Sequence, residues 1–325
     1  MMLVRTVLAA GVLGAALSAP PASGQTDYPT RPIRVLVPFA PGGGSDVLVR
    51  SIGVKITEKT GQPVVIDNRP GANGIVAASL AAKAAADGYT VLLDTTNMVL
   101  NSVLARNLTY NAMTDFDPVA MPAWVTHVVA VNPKATVPIA DFADLLRRMR
   151  SSPGRITYGS FGTGSTAHLA GELLDITAGT KSIHVPYKGG APAIAALLGN
   201  EIDIAIGTVP LVMPYLKSGQ LRAIAVTSAN RIGELPDVPA VAETLPGYEV
   251  NLWWAFVVPV GTPRPVIAKL SSEIRSALAD VDVRQKLAGQ GFNLVSGSPD
   301  ELGAFIRSER SKWEKVISTA GIKLE

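Results

Sequence analysis

Short aliphatic runs alternate with stretches of helical period along almost the whole chain, and this alternation restricts the fold more than any other feature. Residues 33–39 read as a buried strand, followed by Gly42-Gly43-Gly44-Ser45. Leu48, Ile52 and Ile56 then recur every four residues until Gly61 closes the helix. Residues 64–66 and 89–94 are further strands, with an Ala-rich helix over 75–86 between them. A second series starts near Val128. It places helices over 139–150, 165–178 and 191–199 and strands over 156–160, 182–186, 202–206 and 223–227. An apolar strand over 252–258 precedes helices over 265–279 and 299–320, the last opened by Ser298, Pro299 and Glu301 as a capping box. Strands joined by helices long enough to cross over give an α/β fold of mainly parallel sheets with helices on both faces.

At 325 residues the chain outgrows a single core, so two domains are expected. No Pro/Ser-rich tether lies between the two series, which predicts domains joined by strands that pass from one to the other. A net charge of +3 without a run of five like charges gives no footprint for nucleic acid. The absence of cysteine excludes disulfide staples, thiol catalysis and iron–sulfur or zinc-finger sites. Residues 1–24 have the parts of a secretory signal: Arg5, an apolar run over 6–19 and the small residues Ala22-Ser23-Gly24. That run is shorter than a membrane span, and Pro20-Pro21 end it. Cleavage after Gly24 is expected to release an exported chain of 325 − 24 = 301 residues and net charge +3 − 1 = +2.

Two segments share one design: strand, Gly-rich turn, then a hydroxyl residue opening a helix. The first runs over 37–46 and contains Phe39, Ala40, Gly42, Gly43, Gly44, Ser45 and Asp46. The second runs over 158–168 and contains Ser160, Gly162, Gly164, Ser165, Thr166 and His168. In open α/β sheets ligands bind beyond the carboxyl ends of strands, where such turns lie. Glycines admit close backbone approach, and the unpaired N–H groups of a helix's first turn attract an anion without Lys or Arg. Helix capping alone explains either turn by itself; the near-match of the two points to a shared ligand.

The anion is narrowed by elimination. Gly159-x-x-x-x-Gly164 has Ser165 where a phosphate-binding loop carries Lys. Gly162-x-Gly164-x-x-Ala167 fits a dinucleotide fingerprint, yet Ile183-His184-Val185-Pro186 lacks the acid it requires. A carboxylate remains. No Gly-x-Ser-x-Gly elbow is present, and His127, His168 and His184 show no metal-ligand spacing, so neither metal nor cofactor is expected. Asp203, between Ile202 and Ile204, reads either as a backbone cap or as a group aimed at a ligand's polar end. Trp253-Trp254 reads as core or as a cleft wall. The enzyme alternative is a secreted α/β hydrolase or lyase using Asp203 or His168. A third reading is a receptor that signals to a sensor.

Across essentially the whole chain beyond residue 27 the sequence resembles the Bug family, the extracytoplasmic solute receptors of tripartite tricarboxylate transporters. The likeness is carried by Tyr28-Pro29-Thr30-Arg31-Pro32, Pro41-Gly42-Gly43-Gly44-Ser45-Asp46, Asp67-Asn68-Arg69-Pro70-Gly71 and Asp87-Gly88-Tyr89. It continues through Gly162-Thr163-Gly164-Ser165, His168-Leu169-Ala170-Gly171-Glu172, His184-Val185-Pro186-Tyr187-Lys188-Gly189 and Leu235-Pro236-Asp237-Val238-Pro239. The resemblance implies a two-lobed, type II periplasmic-binding-protein fold with two crossing strands as hinge. One lobe comprises 28–127 plus 250–325 and the other 128–249. It also implies loops 39–45 and 160–166 clasping a mono-, di- or tricarboxylate, aromatic ones included, through backbone N–H groups, hydroxyls and ordered water. Thr95, Asp203 and the wall 253–255, with Trp254, would face the variable part of the ligand. The expected partner is a membrane permease, and the expected form is a monomer. Where many relatives carry Asn or Asp shortly after Asp203, this chain has Ala205-Ile206-Gly207-Thr208-Val209.

Overall fold

The computed structural model describes residues 27–322 apart from 106 and 137; the expected signal segment, 1–24, lies outside the described residues. Both β-α series form as the hydrophobic periods require. Strand β1 (Ile33–Val37) leads into α1 (Gly44–Thr60), then β2 (Val64–Asn68), α2 (Ile75–Ala82), β3 (Thr90–Thr95), α3 (Asn97–Leu104) and β4 (Phe116–Ala120). After β5 (Ala123–Val131) come α4 (Phe142–Ser151), β6 (Thr157–Ser160), α5 (Thr166–Ala178), β7 (Ile183–Pro186), α6 (Gly190–Leu198), β8 (Ile204–Thr208), α7 (Val209–Lys217) and β9 (Arg222–Val226). The chain ends with β10 (Asn251–Pro259), α8 (Arg264–Ala279), α9 (Val281–Ala288), β11 (Asn293–Leu294) and α10 (Pro299–Ala320). The Ala-rich helix stops at Ala82, four residues early, and α4 starts at Phe142 because Asp141 caps it through Asp144 N. No helix among the described residues is long and apolar enough to cross a membrane.

The sheets repeat one strand order. β1 pairs in parallel with β2 and β3, and β6 pairs in parallel with β7 and β8. Each parallel trio is then flanked by a long antiparallel strand, β10 against β3 and β5 against β8; β4 joins β10 and β9 joins β5. The lobes are therefore mixed at these edges rather than wholly parallel. β5 and β10 meet each other at Trp124–Thr126 and Asn251–Trp253, and beyond that crossing each continues into the other lobe's sheet. The two crossing strands expected between the lobes are present. Hydroxyls secure them: Thr126 and Thr227 lie 3.1 Å apart, Thr227 donates to Val250 O at 2.6 Å, and Trp253 N donates to Thr96 Oγ1 at 3.0 Å.

Two buried clusters serve one lobe each. Leu48, Val91, Phe256 and Leu270 belong to the first, and Ile194, Leu197, Val212 and Val226 to the second. A third cluster runs across both, because α10 packs on α3 and on α5. Side chains alternate across β10, so adjacent tryptophans part company. Trp253 enters the shared cluster, where its indole N–H donates to Glu309 Oε2 at 2.9 Å beside that of Trp313 at 3.1 Å. Lys312 pairs with the same carboxylate, so a buried acid is fully partnered. Trp254 turns to the other face.

Candidate functional site

The carboxyl ends of both parallel trios open on one cavity of about 710 Å³. Clefts of about 550 and 610 Å³ elsewhere lie along β4, α8 and α10, away from every Gly-rich turn. On the first lobe the chain leaving β1 turns through Phe39 to Gly43 and enters α1 without any side-chain cap. The first intrahelical bond is Val47 N to Gly43 O, so the amides of Gly44, Ser45 and Asp46 precede the helix's own pairing. Asp46 knots the turn from below. It accepts from Gly42 N at 3.0 Å, Arg50 Nε at 2.8 Å and Asn68 Nδ2 at 3.2 Å, while Asn68 also holds Phe39 O. The bond from Arg50 keeps this carboxyl below its usual range. With both oxygens engaged, Asp46 shapes the turn and does not line the cavity.

The second turn is built the same way by different groups. Ser160 Oγ lies 2.6 Å from His184 Nε2 and accepts from Gly162 N at 3.1 Å. Gly162 has φ +127°, and a Cβ there would sit 3.3 Å from Tyr187 O, so only glycine suits the position. Gly164, at φ +77°, donates its N–H to His168 Nδ1 at 3.0 Å. Ser165 is the N-cap of α5 and accepts from His168 N at 3.2 Å. Thr166 Oγ1 lies 3.0 Å from Nε2 of His127, which burial pushes down to about 4 and so keeps neutral.

The hydroxyls are poised as donors. Trp254 Nε1 donates to Ser45 Oγ at 2.7 Å, and a backbone amide donates to Ser165 Oγ. Indole and amide nitrogens carry only protons here, so each serine must accept and keeps its own O–H for the cavity. Four more helix starts border the same space: Gly71–Gly74 before α2, Thr95 and Asn97 at α3, Gly189–Ala191 at α6, and Thr208–Leu211 at α7. Phe39, Phe161, Leu252, Trp254 and Phe292 supply apolar walls, and Gln290 adds one more amide. Among the described residues, none that line the cavity is Asp, Glu, Lys, Arg or His. The site offers an anion the positive ends of helices and neutral donors, with no counter-ion among the described residues. The lobes already touch across it: Asn73 Nδ2 reaches Thr163 O at 3.4 Å, and Gly291 lies against Val209 and Pro210.

Of the expected ligand-contacting residues, Phe39, Ala40, Gly42, Gly43, Gly44, Ser45, Thr95, Ser165, Thr166 and Trp254 line this cavity. Asp46, Ser160, Gly162, Gly164 and His168 stand behind it and hold its turns. Asp203 does neither. It lies exposed before β8, at the opposite end of that strand from Thr208, and accepts from Thr157 N and Oγ1 at 2.8 Å each. Its backbone-capping reading holds, and the ligand-facing one is corrected. Of the expected wall 253–255, only Trp254 faces the cavity; Trp253 and Ala255 point into the shared core. Neither residue named for the hydrolase or lyase alternative lines this cavity: Asp203 is remote from it, and His168 is covered by the turn it supports. The turns at Gly71 and Gly189 repeat the glycine-before-helix signal and were readable from it. Phe292 and Gln290 carry no local signal and arrive through pairing of β11 with β5.

The family model described as the tripartite tricarboxylate transporter family receptor matches residues 48–322. The chain belongs to this receptor family. Protein BugT of Bordetella pertussis, another relative, is 35% identical over 310 residues, covering 94% of each chain. The R. palustris protein Rpa4515, solved with adipate, superposes with a TM-score of 0.82 at 37% identity, covering 91% of this chain and 99% of that one. MatC of Rhodopseudomonas palustris, solved with bound malate, gives a TM-score of 0.78 at 30% identity over 89% and 100%. The two-lobed periplasmic-binding-protein architecture is thus that of the receptor family, and its solved neighbours are solute-binding proteins.

Proposed function

We propose that this chain is a periplasmic receptor that closes on a small organic carboxylate and delivers it to a membrane permease. Residues 1–24 direct export in this reading. The moving bodies are 28–127 plus 250–325 and 128–249, turning about the crossing of β5 and β10. The observation that carries the proposal is the cavity itself: uncapped or hydroxyl-capped helix starts from both lobes converge on a space to which the described residues bring no charged side chain. A carboxylate there gains charge-assisted hydrogen bonds of roughly 1.5–3 kcal/mol each. It reaches donors from both lobes only in the closed form, so binding shifts the population towards closure. Adipate and malate in family neighbours support the ligand class.

The test is a thermal-stability screen of mono-, di-, tri- and aromatic carboxylates on protein unfolded and refolded beforehand, which removes ligand retained from the host. A true ligand at a hundred times its Kd adds about 2.7 kcal/mol, or roughly 5 °C for a chain of this size, and is recovered chemically unchanged. Stabilisation by amines, sugars or nucleotides alone would overturn the proposal.

A further inference from the structure

Behind the second Gly-rich turn lies a cluster of titratable groups that touches the turn and not the cavity. His168 is buried and accepts the Gly164 amide on Nδ1 at 3.0 Å; its Nε2 lies 3.5 Å from Glu172 Oε1. An N–H donating to Nδ1 requires a lone pair there, which assigns the imidazole proton to Nε2, on the Glu172 side. Tyr158 fixes the carboxylate in turn, its hydroxyl donating to Glu172 Oε1 at 2.8 Å. The His184 ring stacks on His168 at 3.8 Å between centroids and 13° between planes, and its Nε2 contacts Ser160 Oγ. Both ends of the turn, Ser160 and Gly164, are therefore held by one pair of stacked histidines.

We propose that the Glu172–His168 pair is a positioning device for the ligand-receiving turn, and that a second proton on His168 releases it. An imidazolium carries N–H on both nitrogens, so Gly164 would face a donor and lose its acceptor. The turn bearing Ser165 and Thr166 then loses its anchor, and ligand affinity falls as the medium becomes acidic. Glu172 on the same helix sets its carboxylate opposite Nε2. His184 from β7 is kept neutral by burial, which lowers it to about 4, so it sets no charge against that second proton. Tyr158 from β6 stays a neutral donor, and β8 brings no titratable side chain to this helix. Asp175, further along α5, is engaged by Thr180 and Ser182, Tyr248 by Ala170 O, and Glu309 of α10 by two indoles.

The inference rests on the carboxylate-receptor reading for its effect on affinity, but its mechanism is read on free protein. Nitrogen-15 NMR of the ligand-free chain is expected to show Nδ1 of His168 unprotonated at neutral pH. As His168 titrates, the Gly164 amide should lose its hydrogen-exchange protection with the same midpoint. Over that range carboxylate affinity is expected to fall about tenfold, the loss of one buried hydrogen bond. In His168→Asn the side-chain carbonyl replaces Nδ1 as acceptor, so Gly164 protection and affinity should become independent of pH. In His168→Leu both should be low at every pH. Glu172→Gln should move the two midpoints together to lower pH, a shift that a purely structural role would not produce. A Gly164 amide unchanged through the His168 titration, or wild-type affinity in folded His168→Leu, overturns the proposal. If no carboxylate binds wild-type protein at neutral pH, the receptor reading fails, while the Gly164–His168 coupling is still decided by the NMR titration.

Discussion

Replacing Ser165 with Asp separates the structural and functional roles of the second helix start. Ser165 is the N-cap of α5, accepting from His168 N, and α5 has no acid in its first turn. Asp caps as well as Ser does, and a carboxylate at that end gains about 0.3–1 kcal/mol from the helix dipole. The ligand-free Ser165→Asp protein should therefore melt at or slightly above the wild-type temperature. The same carboxylate would occupy the place proposed for the ligand's own. Two like charges about 4 Å apart at an effective dielectric near 20 repel by about 4 kcal/mol, which corresponds to roughly a thousandfold loss of affinity. Ser165→Ala should show the opposite pattern: it loses about 1 kcal/mol of capping, and its affinity falls only about tenfold, one donor being removed. Ser165→Asn, a neutral cap, should keep the stability and most of the binding. Calorimetric titration with the best ligand of the screen, alongside melting of the free proteins, reads both axes. Wild-type affinity in Ser165→Asp would refute the placement of a carboxylate at the start of α5.

Buried histidine makes the fold acid-sensitive. His127 titrates near 4 folded and near 6.5 unfolded, so the unfolded chain binds more protons between those values. Stability is then lost as pH falls from about 6.5 through 4, by about 3 kcal/mol, with His184 adding in the same direction; urea unfolding at pH 7, 6, 5 and 4 measures this. Asp94 acts the other way. Its burial, with Oδ2 unpartnered, raises it to about 7 from an ordinary value near 4, so its cost appears as pH rises through that window. Asp94→Asn should be more stable than wild type at pH 8, by about 4 kcal/mol at most, and no different at pH 4; equal stability at pH 8 would contradict it. Among the four tryptophans, only Trp254 lines the cavity, so ligand should change the fluorescence of wild type more than that of Trp254→Phe. An undiminished response in the variant would place the ligand elsewhere.

What could be read from residues alone depended on whether the cause was local. The turns at 39–45 and 160–166 were legible because glycines and a hydroxyl directly before an amphipathic period encode both the turn and the open helix end. Ser165 and Thr166 fell into place for that reason. Asp203 was ambiguous because flanking isoleucines suggest burial; it lies just outside the strand, where its side chain meets water and Thr157. His168 carried a polar signal at the correct turn, yet its ring lies behind the backbone it supports, a distinction only packing reveals. The short elements β4, α3, α7, α9 and β11 escaped detection because a few apolar residues do not define a period. The antiparallel placement of β5 and β10, and the arrival of Phe292 at the cavity, are set by pairings across more than a hundred residues of chain. Net charge was uninformative about the ligand because the groups that would hold it are backbone ends and hydroxyls.

The claim that a carboxylate is held by helix ends and hydroxyls, with no cationic side chain, is tested most directly by a crystal structure with the tightest-binding acid of the screen. Carboxylate oxygens are expected within hydrogen-bond distance of Ser45 Oγ, Ser165 or Thr166 Oγ, and first-turn amides of α1 and α5. An acid bound outside this cavity, or one whose carboxylate is paired with a Lys or Arg such as Lys188, would contradict it.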